Sequence, residues 1–229
     1  MKMSNKMARV QKIKLVSIDG DGCLFAYKNV GSRFESSWDA LGYAYGLKEV
    51  WDKRIEIYYK KGADDLKWAR TDIADLKGRS MGEAGRVLYP VPYCRGAREF
   101  AGESKGRLFR GLLTTAIDLV AEKAAGELAL DFSFHNKLHR NNGIFTGTLD
   151  YDVPTWRKHE KIDEVCKRFG VAESEICHIG DNENDLSVAE RVGMFIALKP
   201  KKESVKNRAD YVADDFFDVI RILKIAGVK

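Results

Sequence analysis

Two aspartates separated by a single glycine, Asp19 and Asp21 in DGDG, follow directly on the β-branched run 12–18 (KIKLVSI). A second acidic set, Asp181 and Asp185 in GDNENDL, follows Ile176–Ile179, and two hydroxyl residues, Thr114 and Thr115, close the apolar run Leu108–Thr114. Short apolar runs closed by turn residues read as strands. In an open parallel sheet the ligand crevice lies outside the carboxyl ends of the strands, so the three runs deliver these side chains to one place. Carboxylates crowded there repel one another unless a cation joins them. Hard oxygen donors suit Mg²⁺, which keeps several of its waters, and this implies an ion held by Asp19, Asp21, Asp181 and Asp185. An isolated DxD is more often only a glycine-rich turn, so the weight rests on the two acidic turns together. Neither turn is a calcium loop. The calcium pattern needs Gly at its sixth position and Glu at its twelfth, where Leu24 and Val30, or Leu186 and Val192, stand here.

The elements that must position these residues alternate between strand and helix. Further strands are expected at Met194–Leu198 and, weakly, around Tyr211 and Val212, with helical patterns at Ile117–Leu128, Val188–Val192 and Phe216–Ile225. That rhythm predicts an α/β fold with a doubly wound parallel sheet. Roughly 80 residues of another character separate the first two strands, too many for a plain connection. Within them Trp38–Tyr45, Val50–Lys60 and Asp64–Leu76 carry apolar residues at helical spacing, which predicts an inserted, mainly helical domain. The expected division is a core of 13–25 plus 106–229, an insert of 26–105 and a basic tail of 1–12. Residues 144–150 (IFTGTLD) follow Asn141-Asn142-Gly143 and read as a hairpin arm.

At 229 residues, 45% hydrophobic and 32% charged, the composition is that of a globular chain rather than a disordered, collagenous or membrane one. No apolar run approaches the roughly 18 residues of a spanning helix, and the basic start leads into no signal-peptide pattern. Cys23, Cys94, Cys166 and Cys177 form no CxxC pair. With no disulfide framework expected, a reducing cytoplasm fits best. The net charge of +5 comes from 39 Lys plus Arg against 34 Asp plus Glu. It suits an anionic small substrate or nucleic acid, and composition alone does not separate them. His135 and His139 in HNKLH lack the Glu of HExxH, and His159, Cys166, Cys177 and His178 form no ligand pattern. The tryptophans read as packing rather than as a base-stacking platform.

Taken in order, DGDGCL, a strand ending in Thr, Lys158 and GDNEND resemble the four motifs of the haloacid dehalogenase superfamily of phosphotransferases. The likeness runs over 13–25 and about 107–225, and within the superfamily it is most similar to the phosphoserine phosphatase branch. TTAIDLVAEKAAGELALDFSFHN is similar to that branch's SGGF strand, helix and following strand. Taken singly, Thr114 is a β-branched strand end, Lys158 a solvated lysine and the GDNEND acids a helix cap. The resemblance gives them roles. Asp19 is the implied nucleophile and Asp21 the acid, then the base. Thr114 is the phosphate-binding hydroxyl, with Thr115 as its rival, and Lys158 rather than Lys161 is the catalytic lysine. Asn184 binds the substrate phosphate. Asp181 ligates the metal with Asp19 and the Asp21 carbonyl, while Asp185 acts through a water or holds Lys158. The insert is the implied cap.

The activity implied is Mg²⁺-dependent hydrolysis of a small-molecule phosphate monoester through an aspartyl-phosphate, with no organic cofactor, no membrane and no nucleic acid as partner. Two other readings stay open: phosphoryl transfer to a sugar, as in mutases, and a silent scaffold whose basic surface binds nucleic acid. Where the branch carries a Glu for the substrate ammonium this chain has Lys28, and where it carries an Arg for the substrate carboxylate it has Ala69, with Arg70 next to it. A shifted loop would bring Glu35 in place of Lys28. Phosphoserine is therefore expected not to be the best substrate. The substrate's identity and the oligomeric state stay open.

Overall fold

The computed structural model describes residues 13–25, 27, 35–58, 62 and 64–227. At its centre is β1 (Leu15–Ile18), every residue of which is buried. It pairs in parallel with β2 (Phe109–Ile117) on one side and β5 (Ile176–Gly180) on the other, Leu15 lying opposite both Phe109 and Ile176. Beyond β2 come β3 (Phe132–Asn141) and the antiparallel β4 (Ile144–Asp150), and beyond β5 come β6 (Met194–Leu198) and β7 (Tyr211–Ala213). The sheet order is β4-β3-β2-β1-β5-β6-β7. Because helices cover both faces, the inner strands are apolar on both sides. Val16 and Ile18 point into a core shared with Leu112, Ile179, Ile196 and Phe216. Leu15, with the opposite pleat, joins Leu113, Ile176, Ile162 and Val165 on the other face. The doubly wound α/β architecture read from the sequence is the one found.

The stretch between β1 and β2 folds as helices α1 (Ser37–Ala44), α2 (Lys48–Tyr58), α3 (Asp65–Ala74), α4 (Gly82–Leu88) and α5 (Ala97–Ser104). Local signals start two of them, since the Ser36 side chain accepts from Asp39 N and the Asp64 side chain from Lys67 N. Trp38, Leu41, Trp51, Trp68 and Ile73 are buried among these helices. The last of the five, α5, falls inside the expected 26–105 insert but packs on α10 (Phe216–Ile225) and β2, with the Phe100 and Phe216 rings 5.4 Å apart. The β3–β4 hairpin turns at Asn142-Gly143 and reaches the insert, where Gly78 N donates to Phe145 O (2.9 Å) and Phe145 N to Arg79 O (2.9 Å).

After β2 come α6 (Asp118–Glu127), which packs on β2 and β3, then α7 (Ile162–Phe169), α8 (Leu186–Ala189) and α9 (Glu203–Arg208). One detail departs from the sequence reading: β2 runs past Thr114 to Ile117. β3 runs through HNKLH as continuous strand, and Lys158 sits in a 3₁₀ turn ahead of α7. Among the described residues no helix is long and apolar enough to cross a membrane. All four cysteines are free thiols.

Candidate active site

Asp19 follows β1 directly, and its N–H donates to Ile179 O at 2.8 Å, which carries the β1–β5 pairing into the turn. Two glycines let the turn close against its neighbours. A Cβ at Gly20 would lie 2.6 Å from Thr114 Oγ1, and one at Gly22, where φ is +86°, would lie 2.4 Å from Asp181 Oδ2. Only glycine allows both that approach and that backbone conformation. The DGDG spacing thus brings the first strand end against the second at Gly20 and against the third at Gly22.

Beneath the turn lies Lys158, fully buried. Its Nζ donates to Asp19 Oδ1 and to Asp185 Oδ1, both at 2.7 Å. Burial opposes the charge on Lys158, but Asp185 and Asp19 outweigh it and hold the ammonium above its ordinary range. The other Asp185 oxygen accepts from the backbone N–H of Asp181 (3.0 Å) and Asn182 (3.2 Å). His178 Nε2 lies 3.2 Å from Asp185 Oδ1, and its Nδ1 pairs with Ser17 Oγ at 2.9 Å. Burial alone would raise Asp185, yet Lys158 and His178 keep it well below the usual carboxylate range. For Asp19 burial wins over Lys158, and its carboxyl is pushed up.

Asp181 contrasts with Asp185. Its Oδ1 is buried with no hydrogen-bond partner among the described residues, as is Asn184 Oδ1, while Oδ2 pairs with Lys201 Nζ at 2.7 Å. Burial pushes the Asp181 carboxyl up to about 7, with Lys201 pulling the other way. Asp19, Asp181 and Asp185 each offer an oxygen within 4.8 Å of the others. The Asp21 carboxylate stands apart from that group. It accepts from Ser37 N (2.8 Å) and Ser37 Oγ (2.6 Å) at the start of α1, and burial raises it to about 6 against the pull of those bonds.

A cavity of about 390 Å³ opens above, floored by Asp19, Asp21, Thr115, Asp181 and Asn184 and roofed by α1, α2 and α3. Thr114 is wholly buried below it, its Oγ1 accepting from Ala116 N at 3.1 Å. Thr115 borders the cavity, and its carbonyl accepts from Trp38 Nε1 at 2.9 Å. Lys161 points elsewhere, to Asp152 at 2.5 Å. Ala69 is buried, and Arg70 is exposed in a separate hollow with Lys67 and Thr71. Lys28 lies outside the described residues. Of the eight residues the resemblance places at the site, Asp19, Asp21, Thr115, Asp181 and Asn184 line the cavity, and Thr114, Lys158 and Asp185 lie buried beneath it. Ser37, His178, Lys201 and Trp38 were missed as members of the site. Ser36-Ser37 before a helical pattern is a readable cap signal, whereas nothing local marks His178 or Lys201.

A haloacid dehalogenase-like hydrolase family model matches residues 131–216. The phosphoserine phosphatase of Methanocaldococcus jannaschii is 24% identical over 218 residues, covering 93% of this chain and 99% of that protein. The phosphoserine phosphatase of Archaeoglobus fulgidus is 26% identical over 167 residues, which cover 72% of this chain but only 43% of that longer protein. Among solved structures, a phospho-aspartyl intermediate analogue of phosphoserine phosphatase superposes with a TM-score of 0.77 at 22% identity, over 93% of this chain and 99% of that one.

Proposed function

The chain belongs to the haloacid dehalogenase-like hydrolases, in their phosphoserine phosphatase-like branch, and from that membership we propose that it hydrolyses a small phosphate monoester with Mg²⁺ through an aspartyl-phosphate on Asp19. One arrangement supports this most strongly: the buried Lys158 ammonium shared at 2.7 Å by Asp19 and Asp185 beside a cavity that Asp19 itself lines. Lys158 fixes one oxygen of the nucleophile and brings a permanent positive charge under the position of a bound phosphoryl group.

The donor set fits a hard divalent cation. Three carboxylates offer converging oxygens, and Asp181 Oδ1 is buried without a partner, an arrangement that a metal ligand satisfies. Asp19, Asp181 and the Asp21 carbonyl are the groups that would hold it, and when bound it neutralises charge on the phosphoryl oxygens. Asp185 already has both oxygens engaged by Lys158, His178 and two backbone N–H groups, which makes it the anchor of Lys158.

In the first step an Asp19 oxygen attacks phosphorus, the bond to the leaving oxygen breaks, and the Asp21 carboxyl gives that oxygen its proton. In the second, Asp21 takes a proton from a water that attacks the same phosphorus. The bond to Asp19 breaks, inorganic phosphate leaves and both carboxyls return to their starting states. A group near pKa 6 is suited to that double duty at neutral pH. In this reading Thr115 and the Asn184 side chain, which line the cavity, bind the phosphate oxygens, and Thr114, wholly buried below them, holds the strand end through its bond from Ala116 N. Phosphate release should require Mg²⁺, stop in EDTA and fall by several orders of magnitude in Asp19→Asn. Equal turnover in chelator, or an active Asp19→Asn protein, would overturn the proposal.

A further inference from the structure

Resting on that phosphatase reading, we infer that the substrate is the phosphate ester of a neutral, hydroxyl-bearing carbon skeleton, a sugar or polyol phosphate, chosen by the end of the cavity that α1, α2 and α3 build over the carboxylates. One part of that end is aromatic. Trp38 from α1 and Trp68 from α3 meet with ring centroids 5.1 Å apart and planes tilted by 41°, and both line the cavity with Ile55. The bond from Trp38 Nε1 to Thr115 O ties this wall to the phosphate end. Ring faces carry partial negative charge and accept the C–H face of a carbon skeleton.

The other part is charged and already paired. Lys48 Nζ lies 2.5 Å from Asp39 Oδ1 and 2.9 Å from Asp52 Oδ2, and Glu35, whose N–H donates to Asp39 Oδ2 at 3.0 Å, borders the same space. A substrate carboxylate entering here meets three carboxylates and one ammonium. Among the described residues, the other cation lining the cavity, Lys201, sits on Asp181, and Arg70 lies outside it. A substrate ammonium meets Lys48 in the middle of the acids it would seek. A hydroxyl meets neither conflict, because it donates to a carboxylate oxygen and accepts from the ammonium, so neighbouring hydroxyls match the alternation of Asp39, Lys48 and Asp52. Sites built of paired donors and acceptors reject analogues that leave them unmatched. A cavity of about 390 Å³ also suits a small ester.

The test is kcat/KM with Mg²⁺ for glycerol phosphate, pentose and hexose phosphates, phosphoserine, phosphoglycolate, phosphocholine and phenyl phosphate, on the wild-type chain and on Lys48→Met and Trp68→Ala. A sugar or polyol phosphate should lead phosphoserine, phosphoglycolate and phosphocholine by at least about tenfold. In both variants its ratio to phenyl phosphate, which has no hydroxyls, should fall by a similar factor, mainly through KM. The Lys48 side chain is 34% exposed, so Lys48→Met should fold, and a melting curve checks this. Phosphoserine, phosphoglycolate or phosphocholine at the top, or a ratio unmoved in Lys48→Met, overturns the inference. Phenyl phosphate hydrolysed with no preference for hydroxylated esters overturns it while leaving the phosphatase reading standing. No release from any ester overturns both.

Discussion

Lys201 Nζ lies 2.7 Å from Asp181 Oδ2, so one of the three converging carboxylates is paired with a cation of the chain itself. Lys201 is partly exposed, with its side chain 42% accessible, and stands after β6 on a loop whose Lys201 N–H also donates to Asp181 O at 2.9 Å. Two cations at one carboxylate repel. Lys201→Ala should therefore tighten Mg²⁺ binding by on the order of tenfold in a calorimetric titration. Weaker binding in that variant would mean that Lys201 supports the ion rather than competing with it.

Metal binding should also compete with a proton. Burial holds the Asp181 carboxyl near 7, against an ordinary 3.8. Between those values the folded, metal-free protein keeps a proton that the unfolded chain has lost. The stability this contributes is complete below 3.8 and disappears as the pH rises through about 7. The melting temperature of metal-free protein should carry this loss between about pH 4 and about pH 7, the two pKa values, and Asp181→Asn should remove it. Mg²⁺ affinity should run the opposite way, weakening about tenfold per pH unit below 7 as the proton must be displaced. An affinity flat across that range would place the titrating group elsewhere.

Lys158 and Lys161, one helical turn apart, should behave differently. Lys158→Ala leaves two buried carboxylates without their shared cation and removes a charge under the phosphoryl group, so turnover should drop by about 10²–10³ and the melting temperature should fall with it. Lys161 pairs with the surface acids Asp152 and Glu164 and lies over the Phe134 ring, away from the carboxylates, so Lys161→Ala should keep near-wild-type turnover and cost little in melting temperature. Steady-state kinetics and melting curves on the two variants rank them, and the reverse order would displace Lys158 from the mechanism.

Asp21 as general acid predicts a dependence on the leaving group. Asp21→Asn should slow an alkyl phosphate by about 10²–10⁴ while p-nitrophenyl phosphate, whose leaving oxygen needs no proton, is slowed much less. Ser37→Ala removes the 2.6 Å bond to the ionised carboxylate. It should move the alkaline limb of kcat/KM for the alkyl ester to higher pH, since losing a bond to the charged form raises the pKa from about 6. Equal slowing of both esters would assign the proton transfer to another group.

The strands and the acids at their ends were legible because both are local properties. A β-branched run closed by Asp-Gly states its own end, and strand ends of a parallel sheet share one crevice, so Asp19, the Thr114-Thr115 pair and Asp181 could be placed together from the strand pattern, whereas the close approach of the neighbours at Gly20 and Gly22 is visible only in the fold. Lys158 was legible only through the order of motifs around it, since a lysine beside an amphipathic helix is ordinarily on the surface. The tertiary structure alone decided the partners. His178 lies under Asp185 because β5 turns that side chain inward. Asp21 binds Ser37 because the first helix of the insert starts over the turn, and Trp38 and Trp68 face one cavity although α1 and α3 are separated by a whole helix. Composition and periodicity say which face of a helix is apolar, but not which neighbour it meets, and that choice depends on how the insert packs over the sheet.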